Sequence, residues 1–347
     1  MNNNILSKIK FSFQKQKVVI ITGKTRKSVF NALKQILALR FKIGKDILMF
    51  EVEDKKISDY EFFLRNSENA ILVVSNIGDI PYEIDFFSGE RELIKNTKEL
   101  VKDLPENVNL VLNFDDETVR EIGDSKKINT LTFGLQKEAG FKASDIKVNR
   151  GTNFKINYKG KIVPVWLKKT FGKEQIYSSL AAGCAATIFD LNLIEISEAL
   201  KNYQPLAGRM SLIKGIKNSW ILDDSKSASV FSMVEAIETL GKVQDYKQKI
   251  AVLGDVMGIG KYTIEAHEAI GERVVKNADL LFVFGQRAKF IAKGAFEKGM
   301  KAEKIFEFDT IKEGKLELQN QIREGDIVLV DGSGEMKMKE IIKEIRL

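Results

Sequence analysis

The sequence predicts an α/β fold made of two successive units, each built around a mainly parallel sheet. Short apolar runs alternate with longer amphipathic stretches, and this alternation restarts after Pro205. Strands separated by helical segments indicate βαβ units. A length of 347 residues suits two domains, or three. We predict an N-terminal extension at residues 1–17, a central domain at 18–205 and a C-terminal domain at 206–347.

The first unit begins with an apolar strand at residues 18–22, which is followed by a turn and a helix at 28–39. Further strands are predicted at residues 46–51, 70–75, 110–113 and 130–133. Short alternating segments at 148–167 predict a small antiparallel insert, because alternation is typical of half-buried strands. The small residues at 175–189 predict a closely packed helix.

The second unit repeats the strand–helix alternation. Strands are predicted at residues 220–222, 249–253, 280–284 and 326–330, with helices at 229–240, 264–276, 288–298 and 338–345. This pattern is typical of a doubly wound unit.

Composition narrows the function classes. No apolar run reaches the roughly 18 residues of a membrane helix. The net charge of +7 is spread along the chain and forms no basic stripe, so we expect no nucleic-acid partner. Cys184, the only cysteine, lies in an apolar stretch and favours a buried, inert thiol. Together with the polar N-terminus, these features predict a cytoplasmic protein. The positive excess suits a phosphorylated or carboxylated small-molecule substrate, and a solvated lysine-rich surface explains it at least as well.

The turn after the first strand has the character of a phosphate-binding loop. It runs through Gly23, Lys24, Thr25, Arg26, Lys27 and Ser28 into a helix. Backbone N–H groups and the helix dipole would face the anion, the lysine would reach terminal phosphates, and the hydroxyl would hold Mg²⁺. Arg26 stands where the full pattern has glycine. The residues alone therefore leave phosphate binding and an ordinary basic turn equally open.

The second half is more specific. The ordered motifs are Gly208, Arg209 and Met210; Asp223, Asp224 and Ser225; the run 251–255 with His267 and Gly271; and the run 325–330 with Gly332 and Ser333. In this order and spacing they resemble the Mur ligase family, and most closely its D-alanyl-D-alanine-adding branch. Weaker matches in the first half are Asn76 with Gly78, and Tyr177 with the alanines after it.

The resemblance implies a Mur-ligase-type central nucleotide-binding domain with a mainly parallel sheet, plus a Rossmann-like C-terminal domain. It implies ATP and Mg²⁺ as cofactors. Lys27, Glu51 and Arg209 would be catalytic, and Ser28 and Glu51 would hold the metal. The nucleotide would contact Gly23, Lys24, Thr25, Arg26, Lys27, Ser28, Asn76, Arg209, Asp224 and Lys226. With ligands on both domains, we expect closure around ATP.

Several positions depart from the family pattern. Arg26 replaces a glycine, residues 79–82 lack the metal-binding histidine, and Thr97 aligns with a carbamylated lysine that only a register shift could restore from Lys95 or Lys98. Further departures are Glu174 and Gln175 in place of His-Asn, Ser178 in place of asparagine, Lys226 and Ser227 in place of Tyr-Asn, and Asp331 in place of lysine. The 17 residues before the first strand are too few to fold as the family's UDP-substrate domain.

Three further sets of candidate residues are better explained by structural roles or solvent exposure than by catalysis or metal binding. His267, the only histidine, suits a structural role better than that of a catalytic base. Glu53 and Asp54 are better explained as a solvated loop than as extra metal ligands. Asp115 and Asp116 are better explained as a turn after a strand.

Two function classes follow from the resemblance. The first is an ATP-dependent acid–amino-acid ligase that acts on a peptidoglycan-type or related peptide precursor through an acyl phosphate. The alternative is a catalytically impaired family member that binds a nucleotide or a partner without turnover. In either case a protein partner could supply the substrate-binding domain.

Overall fold

The computed structural model describes residues 16–76, 95–123, 128–226 and 228–347. Two separate sheets organise these residues, which confirms the predicted fold class. The first has the strand order β2-β1-β3-β4-β5-β6-β7-β8, and the second has the order β13-β12-β11-β14-β10-β9.

The strands of the first sheet are β1 (Lys17–Thr22), β2 (Ile47–Glu51), β3 (Ala70–Val74), β4 (Val108–Asn113), β5 (Thr130–Gly134), β6 (Phe141–Val148), β7 (Gly151–Tyr158) and β8 (Lys161–Lys168). Its helices are α1 (Arg26–Leu37), α2 (Glu61–Arg65), α3 (Lys95–Asp103), α4 (Glu117–Gly123), α5 (Lys173–Thr187) and α6 (Leu193–Lys201). The second sheet has β9 (Ser211–Lys214), β10 (Trp220–Asp224), β11 (Lys249–Gly254), β12 (Leu280–Phe284), β13 (Ile305–Phe308) and β14 (Ile327–Asp331). Its helices are α7 (Val230–Lys242), α8 (Thr263–Val274), α9 (Ala288–Glu297), α10 (Ile311–Gln321) and α11 (Lys339–Ile345).

Strands β1 to β6 are parallel, and both faces of this part of the sheet are covered. One face packs on α1, α5 and α6, and the other packs on α2, α3 and α4. Burial on both faces explains why β1 and β3 read as continuous apolar runs. Parallel strands also bring their carboxyl ends, and the turns after them, to one edge.

The antiparallel insert is present but begins earlier than predicted. Strands β6, β7 and β8 pair antiparallel, and β6 starts at Phe141 instead of residue 148. The predicted start was wrong because the alternating burial of β6 is interrupted at residues 145–147, which are exposed and lie at a register irregularity.

In the second sheet, β9 alone runs antiparallel to its neighbour. Helices α8 and α9 approach closely because glycine faces backbone at their contact. A Cβ on Gly271 would lie 2.0 Å from the Ile291 carbonyl oxygen, and one on Gly294 would lie 2.2 Å from the Glu268 carbonyl oxygen. The spacing from the 251–255 motif to Gly271 therefore reflects packing.

His267 has the predicted structural role. It is fully buried; its Nε2 accepts a hydrogen bond from the Val256 N–H at 3.1 Å, and its Nδ1 lies 2.6 Å from the Thr263 carbonyl oxygen. Burial lowers the pKa of the imidazole, so the ring stays neutral and holds the loop between β11 and α8.

Cys184 is also buried, on α5, and burial raises the pKa of its thiol. Among the described residues, no helix is long and apolar enough to cross a membrane.

Candidate functional site

A cavity of about 280 Å³ lies between the two sheets. The first unit contributes Lys24, Thr25, Asn76 and the start of α5, and the second contributes Arg209, Asp224 and the start of α7. The cavity is therefore lined by the turns at the carboxyl ends of both sheets, where α/β proteins place their ligands.

The turn after β1 depends on Gly23. This glycine has φ +104°, and a Cβ there would lie 2.4 Å from Ser75 Oγ and 2.6 Å from the Asn76 carbonyl oxygen. The Lys24 N–H donates to that carbonyl at 2.8 Å. Thr25 donates to Asn76 Oδ1 from its N–H at 3.2 Å and from Oγ1 at 2.9 Å. Asn76 thus fastens the turn to the end of β3.

The N-terminus of α1 carries cations and no acid. Thr25 precedes the helix, and its first turn contains no acidic residue. Arg26, however, turns towards the end of β2. Its Nε lies 3.1 Å from Glu51 Oε2, and its Nη2 lies 3.4 Å from Glu53 Oε1. The guanidinium is therefore engaged by carboxylates and does not extend into the cavity, which it does not line.

Ser28, Glu174 and Arg209 form a chain of contacts between the units. Ser28 is fully buried on α1, and its Oγ donates to Glu174 Oε1 at 2.5 Å. Arg209 Nη1 donates to the same oxygen at 2.7 Å. Glu174 lies in the first turn of α5, and α1 and α5 pack in one core. Arg209 of the second unit is thus linked through one carboxylate to Ser28, at the start of the helix that follows β1.

The segment that joins the units is pinned at Gly208. This glycine has φ +76°, and a Cβ there would lie 2.9 Å from the Cβ of Lys226. The Gly208 N–H donates to Asp223 Oδ2 and the Met210 N–H donates to Asp224 Oδ1, both at 3.1 Å. The two aspartates at the end of β10 therefore hold the loop that carries Arg209.

Three carboxyl groups on the second-unit side are raised in pKa. Asp224 and Asp331 are paired in register on β10 and β14, and burial followed by their mutual repulsion raises the pKa of Asp224. Burial raises the pKa of Asp331 to about 8, and one of its oxygens has no hydrogen-bond partner. Burial also raises the pKa of Glu235 to about 7, while the Lys173 N–H donates to it. Burial therefore disfavours the charged form of all three groups.

Lys226 lies beside the segment that carries Arg209, because its backbone N–H donates to the Gly208 carbonyl oxygen at 3.2 Å. Burial lowers the pKa of Lys226, and the positive charges of Arg209, Lys339 and Lys27 lower it further. Positive charge beside Arg209 favours an anionic ligand.

The residues around Ser28 fit a divalent cation in part. The Ser28 hydroxyl and the Glu174 carboxylate are oxygen donors at one place, whereas Glu51 is paired with Arg26. Within the described ranges, no group of three or more His, Cys, Asp or Glu side chains could hold a metal by itself. This suits Mg²⁺, which keeps waters and needs one or two carboxylates together with substrate phosphates.

Thr97, which aligns with the family's carbamylated lysine, and Lys98 both have partners away from the cavity. Thr97 is buried, and its N–H donates to Asp54 Oδ1 at 3.0 Å, with the hydroxyl on the same oxygen. Lys98 points to Glu121 at 2.9 Å. The interpretation of Asp54 as a solvated residue was wrong, because it caps the start of α3; Glu53 is exposed beside Lys55 and Arg26.

Tyr177 lines the cavity, and its hydroxyl donates to Asp115 Oδ2 at 2.7 Å. Asp115 also accepts from the Leu135 N–H at 2.6 Å, and Asp116 accepts from the Val119 N–H at 3.2 Å. The aspartate pair therefore builds a turn, as predicted. The motif positions at residues 77–82 and Ser227 lie outside the described residues.

The sequence treated Glu174 as a departure and gave no role to Glu235. The structure makes Glu174 the contact between Ser28 and Arg209, and it places Glu235 at the cavity wall. Lys27 and Glu51, by contrast, do not line the cavity. The available signal for Glu235 was its place among the apolar residues 233–237 of an amphipathic helix, since carboxylates are rare on an apolar face.

Two family models match the chain. The Mur ligase middle domain matches residues 3–186, and the Mur ligase glutamate ligase domain matches residues 208–334. The middle-domain match includes most of the segment that we predicted as an extension, and neither match tests the predicted domain bounds.

Individual relatives agree with this. The chain is 25% identical over 303 residues to the UDP-N-acetylmuramoyl-tripeptide–D-alanyl-D-alanine ligase of Bacillus subtilis, which covers 86% of this chain and 64% of the relative. The Escherichia coli ligase of the same name is 25% identical over 268 residues, covering 76% of this chain and 57% of the relative. The chain thus spans less than two thirds of the length of these relatives.

Solved structures show the same fold. MurF from Acinetobacter baumannii superposes with a TM-score of 0.79 at 18% identity, covering 97% of this chain and 78% of that one. MurF ligase from Thermotoga maritima, in complex with ADP, gives 0.74 at 20% identity, covering 97% and 82%. Because the middle-domain model alone matches more than half of the chain, and the second model matches most of the remainder, this protein belongs to the Mur ligase family.

Proposed function

We propose that the chain is an ATP-dependent acid–amino-acid ligase, with the nucleotide bound between the two units. The observation that carries the proposal is the cavity at the carboxyl ends of both sheets. It is lined on one side by Lys24 and Thr25 of the turn at residues 23–28, the phosphate turn, and on the other by Arg209 and Asp224. Lys24 and Arg209 line the cavity and Lys226 lies beside the Arg209 segment, so positive charge is available for a polyphosphate. The family relatives are ligases by name, and one structural neighbour was solved with ADP. No relative supports the non-catalytic alternative.

In this proposal the substrate carboxylate attacks the γ-phosphorus of ATP and releases ADP. An amine then attacks the acyl phosphate, the C–O bond breaks, and inorganic phosphate leaves while the amine loses a proton. Negative charge develops on phosphoryl oxygens, so preorganised cations are the main catalytic need. Lys27 and Arg209 supply that charge from the two units, and Arg209 would move from Glu174 onto phosphate when nucleotide binds.

Lys24, Thr25 and the turn backbone would cradle the phosphates, with Gly23 and Asn76 fixing the turn. Asp224 and Lys226 would meet the nucleotide from the second unit. Mg²⁺, when bound, would neutralise phosphate charge beside Ser28. Arg26 and Glu51, predicted as nucleotide and metal ligands, are paired with each other, and we propose for them a role in shaping the turn.

The acid substrate is proposed to be a peptidoglycan-type or related peptide precursor, and the amine an amino acid or dipeptide. This follows the names of the relatives, which join D-alanyl-D-alanine to a UDP-N-acetylmuramoyl-tripeptide. A separate protein partner that supplies a substrate-binding domain, and the cytoplasmic location, stay predictions; the comparisons give no support for the partner.

Nucleotide binding is the first test. A hundredfold excess of Mg-ATP over its Kd should stabilise the wild-type protein by about 2.7 kcal/mol, which thermal unfolding would register. Lys27→Ala should remove most of that shift. Lys34→Ala, an exposed lysine later in the same helix, is the matched control and should keep it. An absent shift in wild-type protein at millimolar ATP would contradict the proposal.

A further inference from the structure

We propose that Glu174, and not Glu51, is the protein carboxylate that holds the divalent cation beside Ser28. This inference rests on the proposed function, because it concerns the cation that accompanies the nucleotide. It replaces the metal ligand that the family resemblance implies with another residue.

Position is the first argument. Glu174 Oε1 lies 2.5 Å from Ser28 Oγ, so a cation bound by this hydroxyl would meet that carboxylate at once. Ser28 is fully buried on α1, and Glu174 begins α5, which packs against α1 in one core. The two donors are therefore held by packed helices. Glu174 also lines the cavity, and Glu51 does not.

Charge is the second argument. Arg26 Nε lies 3.1 Å from Glu51 Oε2, and Arg26 Nη1 donates to the Gly23 carbonyl oxygen at 3.3 Å. A guanidinium on Glu51 already supplies the positive charge that a metal would bring there, and a second cation would be repelled. Glu174 also carries a guanidinium, that of Arg209, but Arg209 comes from the other unit and has phosphate as an alternative partner.

Coordination is the third argument. Oxygen Oε1 of Glu174 receives both Ser28 and Arg209, whereas no hydrogen bond to Oε2 occurs among the parts of the chain that the structure describes. The side chain keeps 30% of its surface exposed, so water and phosphate can reach it. One hydroxyl, one carboxylate, phosphate oxygens and water form a suitable ligand set for Mg²⁺.

Two departures from the family pattern, Arg26 and Glu174, compensate each other in charge. Arginine at position 26 neutralises Glu51, and glutamate at position 174 brings a new carboxylate to Ser28. Either change alone would alter the charge around the phosphate turn by one unit. Together they keep that charge constant and move the metal-binding carboxylate from the end of β2 to the start of α5.

The test uses Mn²⁺ as the probe and binding as the readout. ATP affinity is measured by calorimetry with Mn²⁺ and with EDTA, and the Mn²⁺ signal in electron paramagnetic resonance reports metal bound with ATP. In Glu174→Gln the gain in ATP affinity from Mn²⁺ should fall at least about tenfold. ATP binding in EDTA should stay equal or become tighter, because Arg209 is released.

Glu51→Gln examines the competing assignment and should keep the Mn²⁺-dependent gain. Glu198→Gln, on the exposed side of α6, is the matched surface control. Glu174→Asp keeps a carboxylate and should recover part of the lost gain. Unfolding midpoints without ligand show whether each variant is folded, and a folded Glu174→Asp protects the test if Glu174→Gln fails to fold.

The outcomes separate the two proposals. A Mn²⁺-dependent gain that survives in Glu174→Gln, or that disappears in Glu51→Gln alone, overturns the assignment and leaves ATP binding intact. A wild-type protein that binds no ATP in either condition overturns the proposed function, and this inference falls with it. Binding of ATP without any effect of Mn²⁺ overturns the assignment only.

Discussion

The two sides of the cavity treat their charges in opposite ways. On the first-unit side, three acids near the turn after β1 each have a cation: Arg26 contacts Glu51 and Glu53, and Arg209 contacts Glu174. On the second-unit side, burial raises the pKa of Asp224, Asp331 and Glu235, and each carboxyl group accepts a hydrogen bond from a backbone N–H group. The acids of the first side are therefore balanced by cations, and those of the second side by burial and backbone hydrogen bonds.

This contrast indicates that the ion pairs and the buried carboxylates have different roles. In the proposed complex, Arg209 and Glu174 would separate and re-pair with phosphate and cation, because each would have an alternative partner of opposite charge. Asp223 and Asp224 instead accept backbone N–H groups and hold the segment between the units in place. Arg209 therefore combines both roles: its guanidinium would change partners, and its backbone belongs to the segment that Asp223 and Asp224 hold in place.

The largest expected effect on stability comes from changing the turn after β1, on the first-unit side of the cavity. Gly23→Ala should lower the free energy of unfolding by about 3 kcal/mol or more, because a side chain at φ +104° is strained and its Cβ would overlap Ser75 and Asn76. Gly44→Ala is the matched control: φ is +89°, but nothing lies within 4 Å, so only about 1 kcal/mol is expected. Chemical denaturation measures both. Equal costs would show that the turn tolerates a side chain.

The next effect tests the protons on the second side. The pKa of Glu235 is raised from 4.5 to about 7, so the folded state keeps a proton that the unfolded chain releases. Its contribution to stability is full below the unfolded pKa and is lost as pH rises towards 7. Glu235→Gln removes this titration. Between pH 4.5 and 8, the free energy of unfolding of the variant should therefore rise by up to about 3 kcal/mol relative to that of wild type.

The measurement is denaturant unfolding across that pH range, with Glu272→Gln as an exposed control that pairs with Lys298. Other titrations occur in both proteins and cancel in the difference. A difference between wild type and Glu235→Gln that does not change with pH would mean that the carboxyl is ionised in the folded state, and the contrast between the two sides would fail there.

The smallest effect concerns the ion pairs themselves. Arg26→Gln should change the free energy of unfolding by less than about 1 kcal/mol, because its partners are partly exposed. The change should shrink further in high salt. Loss of several kcal/mol, measured by the same unfolding experiment, would show instead that Arg26 holds the turn together.

Much of the fold followed from apolar periodicity. The central strands β1, β3, β11 and β12 were placed within a residue or so, because strands buried on both faces are uninterrupted apolar runs. Strand β13 and helix α10 were missed. β13 has four partly exposed residues, and α10 buries only Gly314 and Leu318, so neither has a strong pattern.

Helix α6 was also missed, although it has a usable signal. Asn192 and Glu195 form a capping box, in which each side chain accepts from the other's backbone N–H.

The candidate site also contains residues that the sequence predicted and residues that it did not. Motif order located Gly23, Ser28, Arg209 and Asp224, because local turns carry them. Glu174 and Arg26 have partners 35 and 25 positions or more away along the chain, and such pairing cannot be read from one sequence.

The central claim is that ATP is consumed to activate a carboxylate in this cavity. The most direct measurement supplies a peptidoglycan-type precursor acid whose carboxylate oxygens are ¹⁸O, together with ATP, Mg²⁺ and D-alanyl-D-alanine, and follows amide and phosphate by mass spectrometry. The account predicts an amide product, ADP, and inorganic phosphate that carries one ¹⁸O atom from the acid. An amide formed with unlabelled phosphate, or no consumption of ATP with any candidate acid and amine, would contradict it.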